Sequence, residues 1–132
     1  MGGIKFWQDP EKRKVDPMLF SKKAEDLALE INGESGKGRI NKRTQIRKFY
    51  DEVVRLSELA RVRTGEWENI LPMVHMLSAK AAYARGRNLV SEGFLKFIKG
   101  AVDQVERPED LKVFSNFFEA FMGFYRLHGP RN

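Results

Sequence analysis

KGRINKRTQIRKFYDEVVRLSELARVR, residues 37–63, combines a helical period with the chain's excess of positive charge. Within it Ile46, Phe49, Tyr50, Val53, Leu56, Ser57 and Ala60 recur at intervals of three and four, the period of one helix face turned toward a core. The spacing predicts a helix from about Asn41 or Lys42 to Val62, broken by Thr64-Gly65. The same stretch carries nine basic residues (Lys37, Arg39, Lys42, Arg43, Arg47, Lys48, Arg55, Arg61 and Arg63) and three acidic ones (Asp51, Glu52 and Glu58). That excess of six equals the net charge of the whole 132-residue chain, so every other segment balances in sum. A helix that builds the core and also concentrates the charge is a candidate polyanion-binding element.

Working outward, the flanking segments show the same helical period. Asp16 as N-cap and Pro17 at the first position open a first helix that runs to about Ile31, with Leu19, Phe20, Ala24, Leu27 and Ile31 inward and Lys23 interrupting that face. A third helix covers about Glu66 to Ala84, burying Trp67, Ile70, Leu71, Val74, Leu77, Ser78 and Ala81. Pro72 either kinks it or marks a beginning near Asn69, and the second reading is preferred. In the connection Arg85-Gly86-Arg87-Asn88, Gly86 is expected to be left-handed and Asn88 to cap a fourth helix, about Leu89 to Glu106. Val90, Phe94, Phe97, Ile98, Ala101, Val102 and Val105 form its inner face. Pro108, followed by Glu109 and Asp110, opens a fifth helix that presents Leu111, Phe114, Phe117, Phe118, Phe121, Phe124 and Tyr125 before Gly129-Pro130 stops it. Phe117 and Phe124 fall off its main stripe, so this helix either lies in the middle or offers a patch to another chain; the middle is preferred. No segment alternates as a strand does. The fold class is all-α, a compact bundle of about five helices in a single domain, residues 16–128.

Residues 1–15 mix charge with Ile4, Phe6 and Trp7, show no period, and read as an N-terminal tail. Residues 32–41 form a glycine-rich, mobile basic loop, with Lys37, Arg39 and Lys42 as accessory cations. The loop fails as a nucleotide cradle: a phosphate-loop pattern needs glycine where Ile31 stands and Ser or Thr where Gly38 stands. With no cysteine, and with His75 and His128 far apart, a disulfide framework and a thiolate metal site are excluded and no metal or cofactor is expected. The adjacent carboxylates Glu25-Asp26, Asp51-Glu52 and Glu109-Asp110 point in different directions on helices and make no acid–base pair. No catalytic residues are assigned, and an enzyme is not expected. The apolar runs are too short for a bilayer, and the first residues lack the apolar middle of a signal peptide. The Met-Gly start lacks the Ser or Thr of a myristoylation site, having Phe6 there. A cytoplasmic protein is expected.

What remains is electrostatics. Arg43 and Arg47, four apart, share one face of the second helix; Lys48 and Arg55, seven apart, share another, and Asp51 can pair with Arg55. Lys80, Arg85 and Arg87 would extend this surface if the third helix ends beside the second. Cations dense enough to follow a phosphate backbone, without mixed signs, point to nucleic acid rather than to solubility alone.

Three strings, TQIRKFYDEV at 44–53, ILPMVHMLSAKAAYARGR at 70–87 and DLKVFSNFFEAFMGFYR at 110–126, resemble the small helical subunit of type III-A CRISPR effector complexes, the Csm small-subunit family. The resemblance covers about residues 40–127 and rests on the order of the three blocks. It implies a non-catalytic, RNA-binding subunit in antiviral defence, whose partners are guide RNA, target RNA, the backbone and large subunits of the complex, and other copies of itself in a filament. It further implies that Arg47, Lys48, Lys80, Arg85 and Arg87 face RNA; Arg43 and Arg55 join them from helix geometry. Two alternatives stay open. One is a stand-alone helical DNA-binding protein reading bases with Asn41, Arg43 and Gln45; the other is an assembly adaptor whose charge meets acidic protein surfaces.

Overall fold

The computed structural model describes residues 3–9, 11 and 14–131. Five helices form: α1 (Ala24–Gly33), α2 (Arg43–Val62), α3 (Trp67–Gly86), α4 (Glu92–Asp103) and α5 (Pro108–His128). Among the described residues there is no strand, only an isolated antiparallel bridge between Trp7 and Val15. The all-α, single-domain expectation therefore holds.

The last helix is the axis of the bundle. α5 packs on both α1 and α2, while α3 packs on α4 and borders α2. Phe114, Phe117, Phe118, Phe121 and Tyr125 of α5 are fully buried, and Phe124 is half-buried, so the middle position explains its breadth of apolar residues. Its rings join those of α4 and α2 in one cluster: Phe97 meets Phe118 edge-on at 5.3 Å, Phe121 stacks on Tyr125 at 5.2 Å, and beside them Phe49 of α2 meets Phe94 of α4 at 5.2 Å. Offset and edge-on geometry adds to area burial in such a cluster.

Several local expectations need correction. The first helix does not run on directly from Asp16 and Pro17. The Asp16 carboxylate accepts the Met18 N–H at 2.8 Å, and then a π turn, Leu19–Lys23, intervenes, with the Lys23 N–H donating to the Met18 carbonyl five residues back. The wide turn inserts one residue into the face, so Leu19 and Ala24 are buried and Phe20 is turned outward. α3 begins at Trp67 and continues through Pro72, which stands near its start and is exposed, where a missing N–H removes one hydrogen bond from the first turns. Asn88, not Gly86, is left-handed, with φ 59°. Ser91, not Asn88, caps α4, its hydroxyl accepting the Phe94 N–H at 3.3 Å, and Glu34 adds a carboxylate to the same helix start through the Gly93 N–H at 3.1 Å.

The segment expected as a tail contributes to the core. Phe6 is fully buried and stacks on Phe114 at 5.9 Å. Its N–H donates to Gln104 Oε1 at 2.9 Å, and Trp7 Nε1 donates to Asp110 Oδ1 at 2.9 Å. Asp110 was read as a helix-dipole acid, and it is that: its other oxygen accepts the N–H groups of Glu106 and Arg107 ahead of α5. It is also fully buried, which the indole makes tolerable. Replacing Trp7 with Phe keeps the ring and removes one donor to a buried carboxylate. The expected loss is about 1–2 kcal/mol, read as a lower urea midpoint at unchanged slope; an unmoved midpoint would mean that the indole contact contributes nothing.

The 32–41 segment is hydrogen-bonded along its length. Gly36, Lys37 and Gly38 run left-handed at φ 60°, 61° and 87°, which turns the chain sharply, and the Gly38 N–H donates to the Ser35 hydroxyl at 3.2 Å. Asn41, fully buried with φ 55°, closes the segment. Its side-chain amide donates to the Ile31 carbonyl at 3.1 Å and to Ser91 Oγ at 2.9 Å, and its Oδ1 accepts the Ser91 N–H at 2.8 Å. Its own carbonyl accepts the Tyr125 hydroxyl at 2.6 Å. Burial pushes that phenol above its ordinary range, with Arg43 pulling the other way, so Tyr125 remains a donor. One residue thus ties the ends of α1 and α5 to the starts of α2 and α4.

Candidate nucleic-acid interface

α2 is amphipathic along its whole length, but its charge is not evenly available. In its C-terminal half each cation meets an acid: Arg55 grips Glu52 with Nε and Nη2 at 2.9 Å each, Arg61 pairs with Glu58, and Arg63 lies 3.7 Å from Glu66. The predicted Asp51–Arg55 pair does not form; Asp51 sits 3.8 Å from Arg47 instead. A carboxylate can reach a turn in either direction, and sequence spacing does not choose between them. In the N-terminal half and the preceding loop, Lys37, Arg39, Lys42, Arg43 and Lys48 meet no acidic side chain among the described residues. The excess charge is concentrated at the beginning of α2.

That beginning lies between two grooves. The first, of about 530 Å³, runs between α2 and α5 and is lined by Arg43, Thr44, Arg47, Tyr50, Met122, Gly123, Arg126 and Arg131. Packing of Tyr50 edge-on against Phe118 at 5.6 Å and the Tyr125–Asn41 bond set the spacing of its walls. Four arginines line it, and among the described residues only Arg47 has an acidic neighbour within salt-bridge reach. An Arg43 guanidinium nitrogen donates to the Arg131 carbonyl, which fixes the chain after α5 across the start of α2. α2 has no side-chain cap and no acid in its first turn, so its positive dipole end faces the same region. Tyr50 is half-buried; burial first, then Glu119, raise its phenol above the ordinary value against the pull of Arg47, so it stays neutral. A neighbouring depression holds Lys37 beside Arg131, extending the cationic strip to the loop.

The second groove, of about 360 Å³, lies between α2 and α3 and is lined by Gln45, Lys48, Phe49, Glu52, Leu77, Lys80, Tyr83, Ala84, Arg87 and Leu89. α3 does end beside α2, so Lys48, Lys80 and Arg87 come together as the sequence suggested. Arg85 does not join them: it reaches across the α3–α4 turn to Glu92 at 3.4 Å and Asn88 at 3.4 Å. Arg55 borders the groove only through Glu52, whose Oε2 also lies 3.9 Å from Lys80. Arg39 turns back on its own loop, Nε donating to the Gly36 carbonyl at 3.1 Å, and Lys42 is exposed just ahead of α2.

The Arg55 bond lowers Glu52 below its ordinary value of 4.5, with Lys80 adding to the effect against burial. A lowered folded-state pKa gives stability that is complete above the ordinary value and disappears as pH falls through the lowered one. Glu52→Gln is therefore expected to flatten the acid-side decline in thermal midpoint below about pH 4.5. An acid limb identical to that of the unmodified protein would contradict the assignment.

Two of the four groove arginines, Arg126 and Arg131, were missed in the sequence. Arg126 closes the third quoted block, but nothing in its spacing says that α5 ends against the start of α2. Asn41, named as a base reader, is fully buried with its amide occupied, and so is unavailable for that task. No helix among the described residues is long and apolar enough to cross a membrane.

A family model described as Csm2 Type III-A matches residues 14–131, nearly the whole chain. No curated protein and no solved structure matches it.

Proposed function

The chain belongs to the Csm2 family of type III-A, and from that premise we propose that it is a non-catalytic subunit that holds RNA phosphates in the α2–α5 arginine groove. As a small Csm subunit of a type III-A CRISPR complex it associates with other components of that complex. In the proposed division of labour, guide and target bases read each other, and this subunit grips the backbone from one side of the channel in antiviral defence. Backbone and large subunits and further copies of this chain are its neighbours, in the cytoplasm.

The observation that carries the reading is the alignment of Arg43, Arg47, Arg126 and Arg131 along one groove at an uncapped helix start. Guanidinium groups donate two parallel hydrogen bonds to phosphate. Lys37 continues that strip, and Lys48, Lys80 and Arg87 offer a second run of phosphate contacts across α2. Arg85 and Arg55, held by Glu92 and Glu52, act at the margin by charge rather than by contact.

Titrating the full chain with single-stranded RNA and with guide–target duplex tests this directly. Binding is expected that tolerates changes of base sequence and weakens as salt rises. Strong preference for one duplex DNA sequence would overturn the reading in favour of a DNA-binding protein. Retained RNA affinity after loss of the four arginines, with subunit association weakened, would favour the adaptor.

A further inference from the structure

Tyr83 on α3 is 68% exposed, one of the most exposed large side chains of the protein. It lines the α2–α3 groove with Lys48, Lys80 and Arg87, and the Arg87 guanidinium lies 5.7 Å from its ring centroid. An aromatic ring left in water is unfavourable, and Tyr83 is not among the residues of the core or packed against it. Three cations converge on the groove around it, one of them already over the ring. Glu52 is the acid of the groove; the bidentate hold of Arg55 occupies it, and Lys80 lies at the edge of ion-pair reach, 3.9 Å from its Oε2. Gln45, at the same groove, adds an amide that can both donate and accept.

We propose that Tyr83, braced by Arg87, is a stacking platform for one unpaired base of single-stranded RNA, with the flanking phosphates on Lys48 and Lys80. The proposal rests on the RNA-binding reading and adds a different kind of contact to it. Arginine beside an aromatic ring offers two flat cationic or π surfaces to a base, and such surfaces accept any base because every base has a π-face. Paired bases inside a duplex present only their edges and backbone, so the platform selects unpaired nucleotides. The two grooves then divide the work: α2–α5 grips phosphates of paired or unpaired RNA alike, and α2–α3 recognises that a base is free.

The test titrates the full chain with a short single-stranded RNA carrying 2-aminopurine, with the same RNA made abasic at that nucleotide, and with a duplex. The unmodified protein is expected to quench the fluorophore. Tyr83→Ala should abolish the quenching and weaken single-strand binding about 5- to 100-fold. Tyr83→Phe, which keeps the ring, should remain within about twofold of the unmodified protein by the same criterion. On abasic RNA and on duplex, Tyr83→Ala and the unmodified protein should bind alike. Equal binding of Tyr83→Ala and the unmodified protein to intact single strands overturns the platform, as does an equal loss on abasic RNA. A companion protein with Arg43, Arg47, Arg126 and Arg131 changed to Ala separates the two readings. If it loses affinity while Tyr83→Ala does not, the platform fails and the phosphate groove stands; if the unmodified chain binds no RNA at all, both fail.

Discussion

Asn41→Ala is expected to destabilise the fold by about 3–5 kcal/mol. Three buried partners lose their bonds together: the Ile31 carbonyl, the Ser91 hydroxyl and the Ser91 N–H. The Ser91 N–H is left unmet, at about 1–3 kcal/mol, whereas the Ile31 carbonyl keeps the Glu34 N–H at 3.2 Å and the Ser91 hydroxyl keeps the Phe94 N–H at 3.3 Å, so each of those two losses is about 0.5–1.5 kcal/mol. Alanine must also hold φ 55°, which costs an L-residue with a Cβ about 1 kcal/mol more than it costs asparagine. Asn41→Gly separates the two contributions, since it removes the backbone strain and loses the same three bonds. The order of urea midpoints should be unmodified protein, Asn41→Gly, Asn41→Ala, and a domain of ordinary stability would lose a large fraction of its margin. A shift below about 0.5 kcal/mol for Ala would remove Asn41 from its central place. The effect reaches function, because Asn41 stands two residues before Arg43 and sets where α2 begins.

The second large effect concerns binding, and it depends on where charge sits rather than on how much there is. Changing Arg43, Arg47, Arg126 and Arg131 to Ala is expected to weaken RNA binding about 100- to 1,000-fold at low salt. This assumes a net contribution of about 1 kcal/mol or less per charged contact, below the usual range for bonds to charged groups, because the side chains are exposed. Changing Arg55, Arg61 and Arg63 removes nearly as much charge from the same helix, yet binding should stay within about fivefold. Those three arginines already face Glu52, Glu58 and Glu66, so only long-range attraction is lost. Similar losses from both sets would mean that total charge, not the groove, governs affinity. The substituted side chains are partly or fully exposed, which leaves the core intact in either protein.

The number and kind of elements were legible in the sequence because they rest on local spacing. The three-and-four period of Ile46, Phe49, Val53, Leu56 and Ala60 is the buried face observed, and Pro108 does begin α5. What escaped depended on partners distant in the chain. Asn41 reads as a loop residue until Ser91, fifty positions on, comes beside it. Phe6 and Trp7 read as a tail until α5 offers Phe114 and Asp110. The π turn that rotates Phe20 outward has no sequence signature that separates it from an α turn. For the interface, the sequence offered Lys80, Arg85 and Arg87 as an extension of the α2 surface only if α3 ends beside α2; Lys80 and Arg87 come to lie beside Lys48, and Arg85 turns to Glu92. Arg126 and Arg131 were not legible, because their value comes only from the docking of the end of α5 on the start of α2. The charge count of the 37–63 block also overstated its reach, since pairing at three residues' distance neutralises its second half.

The salt dependence of RNA binding by the full chain tests the phosphate groove most directly. For single-stranded RNA, log affinity should fall linearly with log salt, with a slope of about 0.7 for each phosphate neutralised. The protein lacking Arg43, Arg47, Arg126 and Arg131 should show a slope shallower by about 2 to 3, whereas the one lacking Arg55, Arg61 and Arg63 should keep nearly the full slope. A flat slope in the unmodified protein, or an unchanged slope after the four groove arginines are removed, would contradict a phosphate-gripping role for the α2–α5 groove.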